Sequence, residues 1–226
     1  MILYYLFNHA TGRPMTQDAD EQHAALFRAV RMDDAAALQK ILEESPDAAS
    51  WHEKPADKLT PLHVAAHHGS TQAIRILYKH NAELDAQDTD GWTPLMYAAA
   101  FGVHQAVTAL IECGANPHIE DNSGDTPLTK AVKRFRSDMT PVDYSSLTAL
   151  VTAGVDPARK ASGGDSAFSL AKSFNRNSAV MALIHADRLR IDHADLAAGK
   201  EPAIRIMTPP TIKKRNRPGQ NTAGLS

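Results

Sequence analysis

A seven-residue phrase returns at a fixed interval along this chain. Thr60-Pro61-Leu62-His63-Val64-Ala65-Ala66 reappears as Thr93-Pro94-Leu95-Met96-Tyr97-Ala98-Ala99 and again as Thr126-Pro127-Leu128-Thr129-Lys130-Ala131-Val132, with 33 residues between successive threonines. The register extends past the phrase: Gly69 and Gly102 lie nine residues after their threonines, and Leu77 and Leu110 seventeen after. Self-similarity at such a period constrains the fold more than composition does. It implies one supersecondary unit stacked on copies of itself.

The residues of the phrase explain its spacing. Threonine before proline starts a helix, because the hydroxyl caps an orphan N–H and proline at the first helical position loses no hydrogen bond. The glycine nine residues on can take the left-handed conformation that ends a two-turn helix. Val107, Leu110 and Ile111 are then spaced to line one face of a second helix. Asp88-Thr89-Asp90-Gly91 and Asp121-Asn122-Ser123-Gly124 supply tight turns before the next pair. A single unit buries too few large side chains to offset the ordering of its backbone, so the array is the unit that folds.

These residues resemble the ankyrin repeat. The resemblance implies an all-α solenoid of helix-turn-helix units joined by β-hairpin-like turns. It covers residues 21–187 as about five repeats, near 21–57, 58–90, 91–123, 124–163 and 164–187. The first copy is weaker: Leu26, Ala29, Leu38, Ile41 and Leu42 take core positions, and Asp33 replaces the helix-ending glycine. The last begins at Ser166-Ala167-Phe168-Ser169-Leu170-Ala171, with Asn175 at the glycine position and Val180, Leu183 and Ile184 in the core. Degenerate end copies are expected of caps, each with one face toward water. The fourth repeat is too long, with 40 residues from Thr126 to Ser166 and Phe135 where glycine should stand. A lengthened first helix, a loop near 136–140 and a second helix from about 141 to 153 are expected there, the last because Thr140-Pro141 is another helix start.

Composition bounds what surrounds the array. The 226 residues are 43% hydrophobic, enough for a sizeable core, and no apolar run reaches the 18 residues a membrane span needs. One cysteine, Cys113, rules out an internal disulfide framework and points to the cytoplasm. Residues 1–20 read as a flexible leader, with either Met1 or Met15 as the start. The formal charge of -2 is uneven: from Arg188 onward eight Lys/Arg face three Asp/Glu, giving +5 and leaving the remainder at -7. An acidic body lacks the clustered cations that nucleic acid requires. Residues 188–226, rich in proline, read as a mostly disordered basic tail after a short capping helix over 188–196, and Lys213-Lys214-Arg215-Asn216-Arg217 forms a basic cluster.

Catalytic and metal signatures fare poorly. His63 and His67 are four apart on a helix, half of a metal site, but His63 is the motif histidine, which the resemblance assigns to a hydrogen bond within the turn. The turn at Asp88 echoes a calcium loop, yet the first ligand position is Ala86. Cys113 has no histidine cue. Without a phosphate loop, nucleophile elbow or paired carboxylates, neither enzyme activity nor a cofactor or metal is expected.

The resemblance implies instead a protein partner on the concave face, at hairpin tips and the ends of the first helices. By register these positions are Arg31, Met32, Leu59, His67, His68, Trp92, Ala100, Phe101, Asp125, Lys133 and Arg134, followed by Asp165, Ser173 and Phe174. Trp92, Phe101 and Arg134 make an anchor set, since Trp and Arg are enriched in hot spots. The competing reading has Trp92 packing over the neighbouring hairpin. The function expected is a monomeric, cytoplasmic, non-catalytic adaptor. The alternative is a targeted or secreted regulator whose tail addresses it to a nucleus, a nucleic acid or an anionic membrane.

Overall fold

A computed structural model describes residues 17–53, 56–134, 144–174 and 177–197. Helix pairs follow one another as the period requires: α1 (Gln17–Arg31) with α2 (Ala35–Glu44), α3 (Pro61–His68) with α4 (Thr71–Lys79), and α5 (Pro94–Phe101) with α6 (His104–Cys113). The series continues with α7 (Pro127–Arg134) and α8 (Ser145–Thr152), then α9 (Ala167–Ser173) and α10 (Asn177–Ala197). A short 3-10 turn, Pro46–Ser50, follows α2. The described residues contain no strand.

The start and stop chemistry is visible atom by atom. Thr60 and Thr93 accept from the backbone N–H three residues on, and Ser166 does the same for Ser169. Gly69 and Gly102 end α3 and α5 at φ of 79° and 66°. At Gly69 a side chain is excluded twice over, because an added Cβ would meet Val103 at 2.7 Å. Asp33 holds the same left-handed place at φ 53°, facing the smaller Ser70 where the next repeat has Val103. There its carboxylate accepts from Ala73 N at 2.8 Å and Gln72 N at 3.4 Å, capping α4, whose own Ser70 provides no side-chain cap.

One apolar core runs the length of the stack, through Leu38, Leu62, Leu77, Leu95, Leu110, Leu128, Leu150 and Leu183. Neighbouring pairs share it: α3 packs on α5, α5 on α7 and α7 on α9, while α4, α6, α8 and α10 form the second layer. The hairpin loops close with the same backbone bond three times, Asp88 N to Trp92 O, Asp121 N to Asp125 O and Ala161 N to Asp165 O, and bond edge to edge through Thr89 N to Asp57 O and Asn122 N to Asp90 O.

Four expectations change. Ile184 is 43% exposed rather than core, because it lies on the outer side of a last helix with no further repeat to cover it. Helix α10 crosses residue 187 unbroken, since neither glycine nor proline occurs between Asn177 and Gly199, so no separate capping helix begins at 188. Helix α1 begins at Gln17, inside the expected leader. Helix α8 begins at Ser145, not 141. The loop at 136–140, any extension of α7 past Arg134, Asn175 and the basic cluster fall outside the described residues.

Candidate functional site

The hairpins of the third and fourth repeats are each stapled by an aspartate. Asp88 Oδ1 accepts from Asp90 N at 2.9 Å and Trp92 N at 2.8 Å, and its Oδ2 accepts from the Tyr97 hydroxyl at 2.8 Å. One repeat on, Asp121 Oδ1 accepts from Ser123 N and Asp125 N, and Oδ2 meets Lys130 Nζ at 2.5 Å. Tyr97 and Lys130 stand at the same place, four residues after the capping threonine, on the helix face that looks toward the hairpin. A phenol in one repeat and an ammonium in the next therefore close the same carboxylate.

From this staple a row of rings extends across the ends of α3 and α5. Trp92 packs edge-on to Tyr97 at 5.3 Å, Tyr97 stacks with Phe101 at 6.2 Å, and Phe101 meets His67 at 4.2 Å, with His68 beside His67 at 4.8 Å. Lys130 Nζ sits 4.3 Å from the centre of the Trp92 ring. Burial pushes the Tyr97 hydroxyl well above the usual phenol range, helped by its bond to Asp88 and the charges of Asp88, Asp90 and Asp57. Burial also lowers His67, as does His68 next to it, against a weaker pull from Glu53. Tyr97 and His67 therefore stay neutral at pH 7.

The row takes in four of the nominated residues, Trp92, Phe101, His67 and His68. Phe101 is 45% exposed, His68 is exposed, and His67, Trp92, Leu59 and Ala100 are half-buried. In the first repeat Met32 is 76% exposed and Arg31 is ion-paired with Glu53. Phe174, Asp165 and Ser173 are exposed in the fifth. Asp125 departs from expectation: it is buried, bonded by Lys133 at 2.7 and 2.8 Å and paired with Lys130 at 3.1 Å. Burial alone would raise its carboxyl, but the two lysines outweigh that and hold it below the ordinary range. Lys133 is exposed yet clamped to Asp125, and the Arg134 side chain falls outside the described residues. Trp92 also packs over its neighbour, since Lys130 covers its ring and its carbonyl accepts from His63 Nε2 at 3.0 Å.

Tyr97 and Lys130 were not foreseen. The signal was present: once Phe101 is placed on the surface, the residue four earlier shares its helix face.

The other candidates are accounted for by their bonds. His63 Nδ1 accepts from Thr60 N at 3.2 Å, so Nε2 carries the proton it donates to Trp92, and neither nitrogen is open to a metal. Burial lowers His63 further. Both oxygens of Asp88 are engaged within the hairpin. Burial raises the Cys113 thiol, keeping it protonated. Among the described residues no group of three or more His, Cys, Asp or Glu is placed to hold a metal, and no helix is long and apolar enough to cross a membrane.

Comparison with known proteins agrees with the geometry. The family model for ankyrin repeats, three copies long, matches residues 26–121 and 82–142. A segment of 55 residues, 24% of the chain, is 46% identical to part of the serine/threonine-protein kinase VIK of Arabidopsis thaliana. That segment is 12% of the kinase's length, so the similarity does not extend to the kinase as a whole.

Proposed function

The chain belongs to the ankyrin-repeat family, whose repeats generally mediate protein–protein interaction, and from that premise we propose a non-catalytic adaptor that holds one partner protein on the concave face of the stack. The observation that carries the reading is the ring row itself. Phe101, His67, His68, Tyr97 and Trp92 form a contiguous row of which Tyr97 rests on the core and Phe101 is 45% exposed, and aromatic anchors of this kind dominate interface energetics. The contact surface runs on to Leu59, Arg31 and Met32 in one direction and to Lys133 and Phe174 in the other. The non-catalytic half of the reading is supported by commitment: the polar groups nearest the rings are tied up in the staples. The adaptor is proposed to work as a cytoplasmic monomer, consistent with its single, protonated thiol.

Affinity capture with the full-length chain, followed by mass spectrometry, tests this. Trp92→Ala with Phe101→Ala should abolish capture of the dominant partner while helix content is kept, and Glu112→Ala on the convex second layer should leave capture intact. Undiminished capture by the double variant, with loss in the Glu112 variant, would place the partner on the other face.

A further inference from the structure

The ring row is bordered on one side by carboxylates. Asp57 and Asp90 stand at the hairpin tips of the second and third repeats, which the bonds Thr89 N to Asp57 O at 3.3 Å and Asn122 N to Asp90 O at 3.1 Å hold edge to edge beside the Asp88–Tyr97 staple. Asp88 is committed to its hairpin, but neither Asp57 nor Asp90 is ion-paired among the described residues. Lys58, at the place of Gly91, is the one described cation of those two tips. The far end of the row already holds an ammonium, where Lys130 lies over Trp92 while bonded to Asp121 and Asp125. Rings beside unpaired carboxylates favour Lys and Arg side chains on an approaching chain.

We propose that the chain's own basic segment, residues 205–217, lies along this border, with Lys213, Lys214, Arg215 and Arg217 against Asp57, Asp90 and the exposed ring of Phe101. Charge complementarity selects it: past Ala197 the sequence carries six Lys/Arg and one acidic residue, Glu201, opposite an acidic body. Reach permits it. Helix α10, which packs on α8 and α9, ends at Ala197, and the sixteen residues from there to Lys213 can span at most about 50 Å. Helix layers about 10 Å apart put the third repeat only about 20 Å from the fifth. Tethering gives the segment an effective concentration on the order of millimolar. The tail is then an occupant that the partner must displace. This rests on the concave face being the binding surface, but its test needs no partner, so the two readings can fail separately.

Zero-length carbodiimide cross-linking of the full-length chain at low ionic strength reads the contact directly. Peptide mapping should join Lys213 or Lys214 to Asp57 or Asp90 within one chain, and mixing labelled with unlabelled protein should yield no mixed pairs. The links should vanish in about 0.5 M salt, where screening is short-ranged, and in an Asp57→Asn, Asp90→Asn variant whose melting is unchanged. Tail lysines joined only to other carboxylates, or links between copies, would overturn the proposal. So would an absence of tail links while other neighbouring Lys–carboxylate pairs, such as Lys133 with Asp125, do react.

Discussion

Four residues after the capping residue, the two central repeats carry Tyr97 and Lys130, whereas the flanking repeats carry Val64 and Leu170. In the sequence the residue five before the cap changes with it: Asp88 and Asp121 in the centre, Pro55 and Ala161 outside. The central tips are thus held by buried polar staples that also set the orientation of Trp92, Tyr97 and Lys130, while the fifth repeat closes its tip by backbone bonds and by exposed bonds, Ser162 N donating to the Glu120 carboxylate at 3.2 Å and Ser169 to Asp165 at 3.3 Å. Buried polar networks fix one geometry when every member is satisfied, and a binding surface needs fixed geometry more than a cap does.

The largest expected contrast lies in the core. Leu110→Ala, at a fully buried central position, should cost about 2 to 5 kcal/mol in denaturant unfolding, through lost transfer energy and a cavity. Ile184→Ala on α10, one position past Leu183, the register counterpart of Leu110, should stay within about 0.5 kcal/mol because the side chain is already exposed. Similar losses at both sites would mean that the terminal helix is covered after all.

Removing a staple comes next. Asp121→Ala leaves Lys130 with Asp125 as its one carboxylate and strands two hairpin N–H groups, and should cost about 3 kcal/mol. Tyr97→Phe removes only one bond to Asp88 and should cost about 1 kcal/mol. Equal and negligible effects in thermal melts would show that the staples are ornamental to the fold.

Acidity sharpens the same comparison. Burial depresses His63 in the folded chain, so between the unfolded value near 6.5 and that lower folded value the unfolded state binds more protons. Stability from this group is complete above about pH 6.5 and is lost as pH falls through the folded value. His52 and His67, also lowered, act in the same direction. A His63→Gln chain should therefore show a shallower fall in unfolding midpoint between about pH 7 and pH 5 than the parent. An identical slope would deny the histidine its role. At lower pH, Asp125, held below the ordinary carboxylate range, loses its contribution as pH drops through its folded value, and Asp125→Asn should flatten that acid limb. Smallest of all, Glu112→Ala breaks an exposed pair with Arg75 at 2.6 Å and should change stability by less than about 1 kcal/mol.

The regular repeats were legible because every determinant was local: Thr-Pro starts, glycine stops and leucines at fixed offsets. Asp33 was legible as a left-handed residue, but its capping of α4 depends on a helix some forty residues away. The burial of Asp125 was hidden for a different reason: its partners Lys130 and Lys133 are close in sequence, but their folding back over the hairpin is a side-chain arrangement that spacing alone does not reveal. The length of α10 could have been read from its lack of breakers, had the end of the repeat pattern not been taken for the end of the helix.

Phe101 and Phe174 occupy the same position of their repeats, and are 45% and 46% exposed. Only Phe101 belongs to the ring row with His67 and Tyr97. The affinity of the captured partner for Phe101→Ala and for Phe174→Ala, measured side by side by calorimetry on the full-length chain, isolates what the row contributes. Phe101→Ala should weaken binding about 30-fold, roughly 2 kcal/mol, with Phe174→Ala close to the parent. Equal losses, or a loss confined to Phe174→Ala, would contradict a binding surface centred on the stapled repeats.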